Sequence, residues 1–295
     1  MSRGVGVTAA LSDLPAVVVV LFAFVTQLGD FWFVFSAGAL AYWLGGHAPR
    51  IGPGLTRERA AMVLALLVAA IALTVTLKTA FGLPRPSGAG VASEATLFPE
   101  FAREVYVSMA TGDGYGFPSG HATVATLVWG GFAWAVRVGR RRQRAAVAGT
   151  VIGLVALSRL VIGVHFAVDV LAGAAIAGGF LWLALTFLRT PGRVFAAAAL
   201  VSLAGLAAGG VTRDVGAAVG MSVAATVVWT ALPDPPEPTR WGALATVGLG
   251  AVTVGGVLTV ALWLVSGTVS VALLAALGTA LLLALPLLGE RVAKK

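Results

Sequence analysis

The chain has 295 residues, 59% hydrophobic and only 11% charged, with a mean hydropathy of +0.96. A soluble domain carries about a quarter charged residues, so composition excludes an ordinary water-soluble fold and points to a polytopic helical membrane protein. The net charge of +8 sits in short loops with no aromatic-interleaved patch, which argues against a nucleic-acid partner, and the absence of cysteine excludes disulfides, thiol catalysis and cysteine-ligated metal.

In chain order, Arg3 precedes an apolar stretch from Leu14 to Val25 that has no small-residue cleavage site and reads as a retained first span. Apolar runs place spans at about 14–28, 31–46, 60–77, 119–136, 145–162, 166–188, 195–211, 215–232, 242–264 and 268–288. The first two fall short of the ~20 residues an upright crossing needs, which suggests a tight helical pair in a locally thinned bilayer. Asp30, between them, either caps a helix or helps to position a site. Trp32, Tyr42 and Trp43 read as interface anchors, and His47 as a loop residue.

Three polar clusters interrupt the apolar pattern. Lys78 ends the third span, where a snorkelling anchor is the commonest role, and Arg85 follows between Pro84 and Pro86 in a rigid turn. The loop from about 82 to 118 then carries Leu97, Phe98, Phe101 and Val105 at helical spacing, either a short interfacial helix or an ordinary structured loop. Pro118-Ser119-Gly120-His121 stands where a span begins, so its free N–H groups and positive dipole end face an anion. A capped helix with a surface histidine is the plain alternative. Ser158-Arg159 closes a span, and His165 and Asp169 follow on one helix face, four residues apart. A carboxylate there can orient the imidazole and support the cation formed after attack, although such a pair alone is more often structural. Charged groups at membrane depth are costly. Together they supply a nucleophile, an acid, an orienting carboxylate and cations that would stabilise a transferring phosphoryl group.

Loop charge sets the expected orientation. With the N-terminus inside, inner loops hold fifteen of the 20 Lys and Arg residues, leaving Lys78, Arg85, Arg103, Arg159 and Arg213 outside. Both termini are then cytoplasmic in a multi-pass cell-membrane protein, and all three clusters face the extracytoplasmic side. Beyond residue 190, Ala, Gly and Val dominate, which suits close helix packing or a homo-oligomer. Pro233-Asp234-Pro235-Pro236-Glu237-Pro238 reads as a stiff inner loop.

The set K-x6-R-P, P-S-G-H and S-R-x5-H-x3-D resembles the signature of the type 2 phosphatidic acid phosphatase superfamily, which also includes the vanadium haloperoxidases. The likeness covers residues about 14 to 188 without departure at a motif position. It implies an all-α transmembrane bundle: a six-span phosphatase core over 1–190 with its site on the outer face, and about four further spans as a C-terminal extension over 191–295. It also implies that His165 attacks phosphorus to give a phosphohistidine, that Asp169 orients it, and that His121 protonates the leaving group. Lys78, Arg85, Ser119, Gly120 and Arg159 would hold the phosphate oxygens, with no metal and no cofactor. The expected function is hydrolysis of a lipid or prenyl phosphate or diphosphate at the bilayer. The alternatives are a lipid phosphotransferase using the same intermediate, a non-catalytic transporter or scaffold, and a vanadate peroxidase, whose known forms are soluble. The individual substrate stays open.

Overall fold

The computed structural model describes residues 6–11, 14–232 and 237–294, so Arg3, Lys295 and residues 233–236 of the proline-rich loop lie outside the described residues. Among the described residues no strand occurs. The chain begins with α1 (Val7–Ala10) and α2 (Ala16–Val25), followed by a 3-10 turn, Thr26–Gly29, and α3 (Phe31–Leu44). The central helix α4 (Arg57–Phe81) comes next, and a short α5 (Glu100–Ala110) lies in the long loop beyond it. Then follow α6 (Gly120–Ala135), α7 (Arg141–Val161), α8 (Ala167–Leu183), α9 (Pro191–Gly209), α10 (Arg213–Ala231), α11 (Arg240–Thr259) and α12 (Thr268–Val292). Seven helices are long and apolar enough to cross a membrane: α4, α7, α8 with its π-helical extension, α9, α10, α11 and α12. The protein is therefore an all-α, multi-pass membrane bundle.

Local chemistry sets the helix ends. Thr56, Thr212 and Thr239 each accept a backbone N–H from the first turn of the helix they precede. Pro191 opens α9, where its missing N–H leaves no donor unpaired. Helix α4 forms the axis of the bundle, with α3, α6, α9 and α10 packed around it. Small residues allow these close approaches: Gly38 faces Leu64, Gly131 faces Leu66, Gly205 faces Thr76 and Gly220 faces Ala272.

The segment after residue 190 packs directly on the first half of the chain. Helices α9 and α10 cover α4, while Tyr42 Oη and Trp43 Nε1 of α3 donate to the carbonyls of Leu283 and Leu282 in α12 at 3.0 Å each. The Trp43 ring lies flat against Gly250 of α11, where no Cβ fits. Gly250→Leu should therefore force the indole out of its slot and cost about 1–3 kcal/mol, the usual penalty of overpacking. A lowered thermal midpoint in detergent, with Gly248→Leu as the open-space control, measures it.

The two short N-terminal segments differ from the expectation of separate spans. Helices α2 and α3 form one unit bent by 40° at Asp30, and they pass as a membrane crossing only together. Alone they reach roughly 15 and 21 Å at 1.5 Å per residue, below the ~30 Å hydrocarbon core. Packing shows their order. Gly29 lies against Val155 of α7, Thr26 bonds Arg159 one turn on, and Val20 and Ala23 pack beside Ile162 and the loop residues Ala95, Tyr106 and Ala110. Helix α2 thus begins level with the 82–118 loop, on the side of the three clusters, and α3 descends to the opposite end of the bundle, so the start of α2 lies on the side opposite the one expected for a cytoplasmic N-terminus.

Within that loop a helix forms, but only from Glu100 onward: of the four residues expected to carry it, Leu97 ends a 3-10 turn and Phe98 is extended, while Phe101 and Val105 are helical. In α5, Tyr106 and Ala110 pack inward while Phe101 and Val105 point outward, Phe101 at 86% exposure. An outward apolar stripe of this kind suits a helix lying at a membrane surface.

Candidate active site

The three polar clusters converge at one end of the bundle. Helix α7 ends at Val161, and Gly163, at φ +73°, turns the chain so that α8 starts only a few residues later. His165 sits in this turn, 1% exposed. Asp169 lies one turn into α8, and its Oδ2 accepts the backbone N–H of Phe166 at 3.0 Å. The same oxygen stands 3.6 Å from His165 Nδ1. The backbone N–H of Ser119 donates to the carbonyl of Asp169 at 2.9 Å, which ties the start of α6 to α8.

Arg85 reaches in from the loop after α4. Its Nε donates to the carbonyl of Asp113 at 2.7 Å and an Nη1 hydrogen to that of Val164 at 3.0 Å. The same Nη1 lies 2.9 Å from His165 Nε2. A guanidinium only donates, so Nε2 is the acceptor there. That assigns the ring proton to Nδ1, facing Asp169, and leaves the Nε2 lone pair pointing into the site. Burial depresses the His165 pKa well below its ordinary value, and Arg159, Arg85, Lys78 and His121 push it the same way. The imidazole is therefore neutral and nucleophilic. Glycine makes room for Arg85: a Cβ on Gly112 would come within 2.7 Å of Nη1.

Arg159, at the end of α7, is buried at 3% exposure and donates to Thr26 Oγ1 at 2.7 Å. Ser119 is fully buried at the start of α6. Gly120 packs against Thr74 of α4, where a Cβ would meet its methyl at 3.0 Å. Lys78, half-buried near the end of α4, is close enough for its charge to act on His121 and His165, and the charges of Arg85 and Arg159 act on it. His121 Nε2 lies 3.5 Å from Asp30 Oδ2, with the two side chains 24% and 32% exposed. All eight residues expected from the sequence thus meet in one place.

Three further residues join them. Asp30 fills both of its expected roles, because Oδ1 caps α3 on Trp32 N at 3.4 Å while Oδ2 faces His121. Thr26 anchors Arg159, and Thr74 abuts Gly120. Asp30 stood out in the sequence between two short apolar segments, whereas Thr26 fell inside a span and its bond to Arg159 left no local sign.

One feature separates this place from the rest of the bundle. Among the described residues, five buried side-chain polar atoms have no hydrogen-bond partner, and four of them lie here: Thr74 Oγ1, Ser119 Oγ, Arg159 Nε and His165 Nδ1. Buried polar atoms are nearly always paired. Three of these four belong to cationic or hydroxyl donors: Thr74 and Ser119 at the open N-terminus of α6, and Arg159. A tetrahedral oxyanion would satisfy the donors together. No set of three His, Asp or Glu side chains is gathered as metal ligands among the described residues.

Residues 59–193 match the family model described as the PAP2 superfamily. That stretch contains Lys78, Arg85, the 118–121 turn, Arg159, His165 and Asp169. No curated protein and no solved structure matches the chain.

Proposed function

We propose, from the premise that this chain belongs to the PAP2 superfamily, that it is an integral membrane phosphatase whose substrate is a lipid or prenyl phosphate, cleaved through a phosphohistidine. A membrane phosphatase-type activity follows from the family; the substrate class and the intermediate are our reading of the site. The orphaned donors of Ser119 and Arg159 beside the neutral His165 carry that reading.

The steps balance as follows. His165 Nε2 attacks phosphorus in line with the leaving oxygen, forming a P–N bond as the ester P–O bond breaks. His121 gives its proton to that oxygen, and the alcohol leaves. Water then attacks phosphorus, His121 takes its proton, and the P–N bond breaks to release phosphate and restore neutral His165. The Nδ1 proton stays with His165 throughout, and Asp169 stabilises the transient positive charge on the ring. Arg85, Arg159, Lys78 and the α6 N-terminus spread the charge of the transferring group. Asp30 holds His121 in place for that transfer, its Oδ2 lying 3.5 Å from Nε2. Arg85 must release Nε2 as phosphate arrives, exchanging one acceptor for a better one.

The apolar surroundings favour an amphipathic substrate. Exposed Val17, Leu21 and Phe24 of α2 and Phe101 and Val105 of α5 border the site end. By the loop-charge rule this end is extracytoplasmic. Incubating the purified protein with lipid phosphates labelled at phosphorus tests the reading: free labelled phosphate should appear, and an alkaline quench should trap the label on His165. Label passing to an added alcohol without phosphate release would make the protein a phosphotransferase.

Acid sensitivity gives a second check. The unprotonated His165 is the active form, and its depressed pKa keeps it unprotonated below the ordinary histidine range. The acidic limb of kcat/KM should therefore fall below pH ~6.5. Arg85→Gln removes one of the charges that depress it, so the limb should move toward neutral pH.

A further inference from the structure

A cavity of about 560 Å³ lies beside the site, between the first half of the chain and the C-terminal helices. Phe31 and Phe35 of α3 and Ile71 and Val75 of α4 form one wall. The other is built by α10, α11 and α12, through Met221, Leu258 and Leu274 among others. It continues into a narrow gap of about 30 Å³ lined by Leu64, Leu67 and Leu282. From Val75 down to Leu64 the lined stretch of α4 is roughly 16 Å long at 1.5 Å per residue. The size is that of a small-molecule pocket, about 300–1,000 Å³.

Charge is confined to the mouth, and the one hydroxyl of the interior lining, that of Thr279, is spent on the Ala275 carbonyl at 2.8 Å. Arg213 and Asp214 open α10 there, and Arg213 donates to the carbonyls of Ala261 and Val265 at 3.0 and 3.4 Å. Those bonds clip the end of α11's π-helical extension over the cavity. The mouth adjoins the site: Phe31 follows Asp30, Val75 precedes Lys78 by one turn of α4, and the charge of Asp214 acts on Lys78. A polar rim at the height of the phosphate cradle, above an elongated apolar interior, matches a lipid phosphate with its head in one and its tail in the other.

We propose that this cavity is a chamber for one hydrocarbon chain of the lipid phosphate whose head occupies the site, and that α10–α12 serve to build it. The proposal rests on the phosphatase reading and adds what the tail contacts. Bulk bilayer gives no chain-length preference, whereas a cavity of limited length selects chains that fill it.

Two variants narrow the chamber from different helices of its C-terminal wall, Ala217→Trp on α10 and Gly278→Leu on α12; both positions line it. With purified protein in lipid nanodiscs, KM for a long-chain alkyl phosphate should rise about tenfold, the equivalent of roughly two buried methylenes. Turnover of a short, water-soluble phosphate ester should stay unchanged, which also reports that the fold is intact. An unchanged KM for the long chain in a variant that still cleaves the short ester overturns the chamber. An alkyl phosphate carrying a photoreactive group at its tail gives an activity-independent readout. Labelling of α10, α11 or α12 at the lining residues supports the chamber, and labelling confined to outward residues such as Trp182 overturns it. Failure of the wild-type protein to hydrolyse either ester would refute the phosphatase reading, and the photolabel would still decide the chamber.

Discussion

Replacing His165 with alanine is expected to reduce phosphate release by at least about 10⁴-fold, to the level left when a nucleophile is deleted and only binding groups remain. The expectation rests on position. His165 is the histidine whose Nε2 lone pair faces the cradle, while His121 faces Asp30 across the way. The variant should insert and fold normally, because the one bond the imidazole accepts, from Arg85 Nη1, is backed by that nitrogen's bond to the Val164 carbonyl. It should still bind vanadate, since Ser119, Arg159 and the α6 N-terminus are untouched. Asp169→Asn is a finer test. The amide oxygen can still cap Phe166 N, so the turn survives, but the charge that supports the ring cation is gone. Its kcat should fall while KM stays near normal, the signature of an interaction made only in the transition state. Full activity in His165→Ala would sink the mechanism.

Arg159→Met should lower kcat/KM by about 10²–10³-fold, the usual loss when one oxyanion donor is removed from a water-excluded site. This guanidinium is buried among other cations, reaches no carboxylate at ion-pair distance among the described residues, and donates to the neutral Thr26 hydroxyl. Its Nε has no partner at all. A buried charge kept in that condition is costly without an anion. Methionine fills similar volume and relieves the repulsion from Arg85, so thermal stability should hold or rise as activity falls. That opposite movement separates a phosphate-binding role from a structural one. Thr26→Val, which removes only the hydroxyl anchor, should cost about tenfold. Measuring melting temperature and kcat/KM for both variants decides the point. A variant that loses stability and activity together would make Arg159 a packing residue.

The helix positions and the eight site residues were legible in the sequence because both depend on local signals. Apolar runs bounded by basic loops give a helix wherever the bilayer forces backbone groups to pair internally. The motif residues stand at helix ends, where spacing alone sets the face: His165 and Asp169 are neighbours because four residues make about one turn. The choice at 97–105 between helix and loop fell to a helix from Glu100 onward through a tertiary contact. Tyr106 and Ala110 needed Ala23 of α2 to pack against. Thr26 gave no signal, because its part depends on a bond to a residue 133 positions away.

What the sequence by itself determined is that this is an all-helical membrane protein whose few intramembrane cations, histidines and aspartate fall into the pattern of the PAP2 superfamily, since hydropathy and residue type are properties of the chain. Only the tertiary structure decided that α2 and α3 form one unit bent by 40°, that Asp30 and Thr26 join His121 and Arg159, and that the C-terminal helices close against α3 and α4 around a cavity. Each of these depends on which faces meet. In a bilayer apolar faces are nearly interchangeable to the hydrophobic effect, so the close fit of small residues such as Gly38, Gly205 and Gly250 selects the partner.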